Sequence, residues 1–148
     1  DWSSDVCSSD LIPIYGNGMQ IRDWLYVLDH CKAILSVLEK GSVGATYNIG
    51  SNNEKTNLEV AQIVCKVLDK IHSKNKSDSY SSLIEFVADR PGHDRRYAIN
   101  SKKIKNELEW KPEETFESGL YKTIDWYLSN RSWLENVLAR SLKSNNLK

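Results

Sequence analysis

"ATYNIGSNNEKTNLEVAQIVCKVLDKI" spans residues 45–71, and its reading decides the fold class. Residues 45–50 form a short β-like run that ends in the polar turn "SNNEK". Thr56 followed three residues later by Glu59 is the capping-box pattern that opens a helix. Leu58, Ala61, Val64, Cys65, Leu68 and Ile71 then share one helical stripe. A strand that feeds an amphipathic helix through a short turn is the repeating unit of α/β proteins.

The same alternation continues on both sides. Upstream, "IPIYGNGMQIRDWLYV" (residues 12–27) reads as two short extended runs around the Gly16-Asn17-Gly18 turn. Asp29 is expected to cap a helix to about Lys40, with Ala33, Ile34, Val37 and Leu38 on one face and Gly41 as its stop. Downstream, residues 72–82 read as a polar surface loop and residues 83–88 as a strand. After "DRPGHDRRY" (residues 89–97), Asn100 is expected to cap a helix through Leu108, and Pro112 breaks the pattern. Phe116, Leu120, Ile124 and Tyr127 mark another helix, and a last amphipathic piece surrounds Trp133, Leu134, Val137 and Leu138. No internal repeat is visible.

The first eleven residues, "DWSSDVCSSDL", fit none of this. They have no apolar period, no basic start and no continuous apolar stretch of roughly 7 to 15 residues, so they are not a secretory signal. They match the translation of a common short-read sequencing adapter residue for residue. The expected organisation is therefore a non-native tail at 1–11 and a native portion at 12–148.

The chain carries 20 Lys+Arg against 20 Asp+Glu; without Asp1, Asp5 and Asp10 the balance is 20 against 17. Charges of both signs are interspersed, so no basic face points to nucleic acid. With 40% hydrophobic residues and no apolar run of about 18, the composition is that of a soluble globular domain without a membrane span. Cys31 and Cys65 fall within helical patterns without metal-ligand spacing and read as small buried hydrophobes in a reducing cytoplasm.

Three loops at the ends of expected strands collect the polar groups, where α/β sheets bind ligands. They hold Tyr15, Arg22 and Asp23; Asn52, Asn53 and Glu54; and Arg90, His93, Asp94, Arg95 and Arg96. Two guanidinium forks and an amide from separate loops could clamp a diphosphate. Taken singly, Arg22 beside Asp23 and Arg95 beside Asp94 read more readily as surface ion pairs worth about 0–1 kcal/mol than as ligand contacts. His93 reads equally as a hydrogen-bonded surface histidine, and Trp110, Trp126 and Trp133 as core. No GxSxG, HExxH or GxGxxG motif occurs, and no nucleophile with a nearby base can be named.

The runs "PIYGNGMQIRDWLYVLDHCKAI", "GATYNIGSNNEKTNLEVAQIV", "FVADRPGHDRRYAINSKKIKNELEWKP" and "TFESGLYKTIDWYL", in this order, resemble the C-terminal part of the dTDP-glucose 4,6-dehydratase family, extended short-chain dehydrogenases acting on nucleotide sugars. The resemblance covers nearly everything from Ile12 to about Val137, and "RPGHDRRYAI" is its most specific run. It implies the α/β, C-terminal substrate-binding part of a Rossmann-type fold, with the N-terminal NAD-binding half absent.

The resemblance also implies roles. Pro13 and Tyr15 lie by the base of the nucleotide, Arg22, Asn53 and Arg90 hold its diphosphate, and His93 lies beside the nucleotide. The family's Gly-rich NAD turn, Tyr-x-x-x-Lys pair and Asp-Glu acid/base pair are not in this sequence, so no catalytic residue is expected here. In the complete enzyme, C4 of the glucose is oxidised by hydride transfer to NAD, water is lost across C5 and C6, and the hydride returns to C6. The implied partner is a dTDP-sugar, and the complete enzyme is implied to be a homodimer. Leu28, Ala45 and Ser51 depart from the family's usual acidic residue, Glu and Gly. Apolar surface that packs on the NAD-binding sheet is expected to be exposed, which favours association. The rival readings are a UDP-sugar epimerase or related sugar-nucleotide dehydratase, and a non-catalytic nucleotide-sugar binding module.

Overall fold

A computed structural model describes residues 11–72 and 79–145, with side chains up to residue 139. The proposed tail therefore lies almost wholly outside the described residues, as does much of the expected 72–82 loop. The elements are β1 (Ile12–Tyr15), β2 (Ile21–Asp23), α1 (Val27–Lys40), β3 (Glu54–Thr56), α2 (Asn57–Ile71), a 3-10 turn (Tyr80–Leu83), β4 (Ile84–Val87), α3 (Lys102–Leu108), α4 (Phe116–Ser129) and α5 (Arg131–Asn145). The mixed α/β expectation holds.

The strands form two pairs. β1 and β4 run parallel, from Ile12 opposite Ile84 to Tyr15 opposite Val87. A parallel pair needs a long crossover, here the stretch that carries α1 and α2. β2 and β3 pair antiparallel, with Arg22 opposite Lys55, and a bridge from Ile21 to Arg96 ties the 89–97 loop to β2.

The helix α2 starts where its capping box places it. The Thr56 side chain accepts from the Glu59 N–H, and the Glu59 carboxylate accepts from the Thr56 N–H at 2.7 Å. The Thr56 hydroxyl also donates to the Glu59 carboxylate at 2.8 Å, and these bonds from the Thr56 N–H and hydroxyl hold the Glu59 carboxyl below its usual range. Cys65 is fully buried, and burial pushes its thiol up. Between α1 and α3, Ala33, Ile104 and Leu108 make a compact core that Val37, Tyr47, Ile49 and Trp110 extend.

Several expectations shift. Residues 45–50 are not a strand, because an extended run becomes one only when a neighbour completes its ladder, and no described strand lies beside it. The "SNNEK" turn instead yields β3, since β2 offers it a partner. Helix α1 begins at Val27 with Tyr26 at its cap. Asp29, buried in the first turn, accepts from the Glu113 and Glu114 N–H groups at 3.1 and 2.9 Å and so anchors the lead-in to α4. Asn100 sits one residue ahead of the Ser101 cap of α3, although its side chain accepts from the Lys102 N–H.

Cys31 is exposed: it lies about 200° around α1 from Asp29 and Ala33, which face inward. Ile34 and Leu38 are likewise exposed, together with Val27, Leu28 and Leu35. Helix α1 is thus apolar on a second face that no described element covers, and Ile34 and Leu38 belong to it rather than to the face of Ala33 and Val37. Trp126 and Trp133 are half-exposed and stack edge to face at 5.0 Å where α4 meets α5, so only Trp110 joins the core.

Candidate functional site

The parallel pairing of β1 with β4 sets the C-terminal ends of both strands side by side. The chain leaving Tyr15 therefore faces the 88–97 loop. The Gly16 N–H donates to the Val87 carbonyl at 2.9 Å. Gly16 has φ +59, and a Cβ there would lie 2.7 Å from Asp89 Oδ2. Glycine is what lets the Asp89 carboxylate come this close.

A connected polar chain follows. Asp89 Oδ1 accepts from His93 Nδ1 at 2.7 Å and from the Arg90 N–H at 2.9 Å, while Gln20 Nε2 donates to Oδ2 at 3.0 Å. His93 has a side chain only 4% exposed. Its Nε2 accepts from Arg90 Nη2 at 3.0 Å. The Arg90 guanidinium lies 5.0 Å from the Tyr15 ring centroid, and the His93 ring meets Tyr15 edge-on at 6.5 Å. The bond from His93, chiefly, holds the Asp89 carboxyl below its ordinary range, helped by the Arg90 N–H and by Gln20.

Arg22 reaches the same loop from β2. Its Nη1 donates to the Ile21 carbonyl at 2.7 Å and its Nη2 to the Asp94 carbonyl at 3.0 Å, and the guanidinium lies 4.3 Å from the Tyr97 ring centroid. The Tyr97 hydroxyl donates to Asp94, which raises its pKa, whereas the Arg22 and Arg90 charges both pull it down.

Asn53 is placed by Asp23 at the end of β2. The Asp23 carboxylate accepts from the Ser51 N–H at 2.9 Å, the Ser51 hydroxyl at 2.6 Å and the Asn53 N–H at 2.8 Å. The Asn53 carbonyl accepts from the Trp24 N–H at 3.1 Å. Asp23 is consequently engaged with the 51–53 turn rather than with Arg22. Of the possible surface pairs, the two-point bond from Arg96 to Glu54, 2.8 Å for each nitrogen, is one, and it takes both residues out of the site. Asn52 turns to Ser101.

Tyr15, Arg90 and His93 are therefore in mutual contact, Arg22 meets the same loop at Asp94 and Tyr97, and Pro13 lies on β1 two residues before Tyr15. Asn53 stands at the neighbouring strand end. Gln20, Asp89 and Tyr97 were not singled out from sequence. Asp89 and Tyr97 bracket the "RPGHDRR" run, but nothing local in the sequence marks Gln20.

Two cationic forks, a tyrosine under one of them and an asparagine at the neighbouring strand end suit a phosphorylated nucleotide. No group of three His, Cys, Asp or Glu among the described residues could hold a metal, and no described helix is long and apolar enough to cross a membrane. A groove of about 580 Å³ between Trp24–Leu28 and α4 is apolar and lies apart from these arginines.

The architecture is that of part of the extended short-chain dehydrogenase fold, as similar solved structures show. The family model described as GDP-mannose 4,6 dehydratase matches residues 7–123, and the chain belongs to that family. It is 56% identical over 133 residues to a dTDP-glucose 4,6-dehydratase of Shigella flexneri, covering 90% of this chain and 36% of that protein. The dTDP-glucose 4,6-dehydratase of Bacillus anthracis, crystallised with NAD, matches 83% of this chain and 36% of its own, with a TM-score of 0.71 and 52% identity. The Streptomyces venezuelae enzyme, crystallised with NAD and TYD, matches 83% of this chain and 35% of its own, with a TM-score of 0.73 and 39% identity. The chain spans about 36% of the length of such relatives. It carries neither a GxGxxG turn nor a Tyr-x-x-x-Lys pair.

Proposed function

We propose that this chain is the C-terminal, nucleotide-diphosphate-binding part of a dTDP-glucose 4,6-dehydratase. The observation that carries the reading is Arg90 over the Tyr15 ring and Arg22 over the Tyr97 ring, two guanidinium groups bound to the one loop that β1 and β2 both meet. In it, Arg22, Arg90 and the Asn53 amide hold the diphosphate, Tyr15 and Pro13 flank the base, and His93 orients Arg90. The chain's own residues bind and orient; hydride transfer, proton transfer and loss of water belong to residues outside it. The complete enzyme is a cytoplasmic, NAD-dependent homodimeric lyase in this reading.

Calorimetric titration with dTDP, UDP and inorganic diphosphate tests it. Saturable dTDP binding that Arg22→Ala and Arg90→Ala each weaken about 10- to 100-fold, the loss of one charge-assisted contact, is expected. Preference for UDP would favour an epimerase relative. Binding indifferent to both arginines would refute the assignment.

A further inference from the structure

We propose that Gln20 is a positioning residue for this site: it holds Asp89, Asp89 sets the tautomer of His93, and His93 keeps the Arg90 guanidinium across Tyr15. The inference rests on the nucleotide-diphosphate reading above and names a residue outside the set that reading uses.

Gln20 directly precedes β2 and is only 6% exposed. Its Nε2 donates to Asp89 Oδ2, but its Oε1 is buried and accepts from none of the described residues. The amide orientation is not open to reversal, because an ionised carboxylate only accepts. An apolar side chain of the same length would fill this position without an orphaned acceptor. What the amide adds over such a side chain is the donor to Asp89.

That donor fixes one carboxylate oxygen and leaves the other to His93 Nδ1. An arginine only donates, so His93 Nε2, which meets Arg90 Nη2 at 3.0 Å, carries the lone pair, and the proton sits on Nδ1. Were the proton on Nε2, two donors would face each other and Arg90 would swing away. Gln20 therefore acts on the guanidinium through two intermediaries. None of the three bonds is to a ligand, so the arrangement is built before the nucleotide arrives.

The test compares the unaltered 148-residue chain with Gln20→Met by imidazole ¹⁵N shifts, thermal melting and dTDP titration. The expected result is a His93 that loses its Nδ1–H preference, a dTDP Kd raised about 3- to 10-fold, as for one neutral hydrogen bond, and an unchanged or higher Tm. In the Arg90→Ala background Gln20→Met should then have no further effect on Kd. An unchanged His93 tautomer, or additive effects with Arg90→Ala, would overturn the proposal. A chain that binds no dTDP overturns the nucleotide reading instead, and the His93 spectrum still decides whether Gln20 governs the relay. Should Gln20→Met fail to fold, Asp89→Ala at a half-exposed position removes the acceptor that links Gln20 to His93 and carries the same readouts.

Discussion

Replacing Asp23 by alanine tests how the Asn53 turn is held. The carboxylate accepts four hydrogen bonds: from the Ser51 N–H at 2.9 Å, the Asn52 N–H at 3.3 Å, the Asn53 N–H at 2.8 Å and the Ser51 hydroxyl at 2.6 Å. Gly50 permits this approach, since a Cβ there would sit 2.5 Å from Asp23 Oδ2. A hydrogen bond to a charged group contributes about 1.5–3 kcal/mol. These four share one partly exposed acceptor and are not additive, and the Ser51 hydroxyl retains the Trp24 carbonyl at 2.7 Å. A net loss of about 2–4 kcal/mol follows. In urea unfolding the midpoint should fall by about 1 M or more at unchanged slope. Asp23→Asn should recover less than half of this, because its amide nitrogen would face N–H donors. Since the turn carries Asn53, dTDP affinity should fall as well. A midpoint within about 0.3 M of the unaltered chain would refute the argument that this carboxylate organises the turn.

Two further outcomes are expected. Asp69, held low by the Ser79 hydroxyl and the Tyr80 N–H, titrates below its usual range, as do Glu59, Asp89 and Glu114. Depressed folded-state values contribute stability that is present above the unfolded carboxylate range of about pH 4 and is lost as pH falls through the folded values. Tm should therefore drop in acid, and Glu59→Gln should flatten part of that drop; a profile insensitive to Glu59→Gln would count against the capping-box account. The uncovered apolar face of α1, with Val27, Leu28, Ile34, Leu35 and Leu38 exposed, should drive concentration-dependent association in sedimentation experiments. Charged substitutions at Leu35 and Leu38 should suppress it, and a monodisperse monomer that melts in one sharp transition would contradict the expectation.

Local signals were read well where they were strong. Thr56 and Glu59 face each other across a single helical turn, so three residues of sequence suffice to place the start of α2. The Arg22, Asn53, Arg90 and His93 assignments came from motif order, since composition alone left each arginine open to a surface ion pair. The misplaced elements failed for a common reason. Residues 45–50 have strand character but no described partner, whereas the polar "SNNEK" turn has one in β2, and a ladder depends on its neighbour more than on its own residues.

The sequence by itself determined the α/β alternation, the helix α2 with its cap, and which residue types could meet an anion. Only the tertiary structure decided that β1 lies parallel to β4, which brings Tyr15 against Arg90 and Gln20 against Asp89, 69 residues away. It likewise decided that Asp23 serves the 51–53 turn and not Arg22. Periodicity and capping act over three or four residues and leave their mark in the local pattern. A contact across a crossover depends on register between distant strands, and no short stretch of sequence records it.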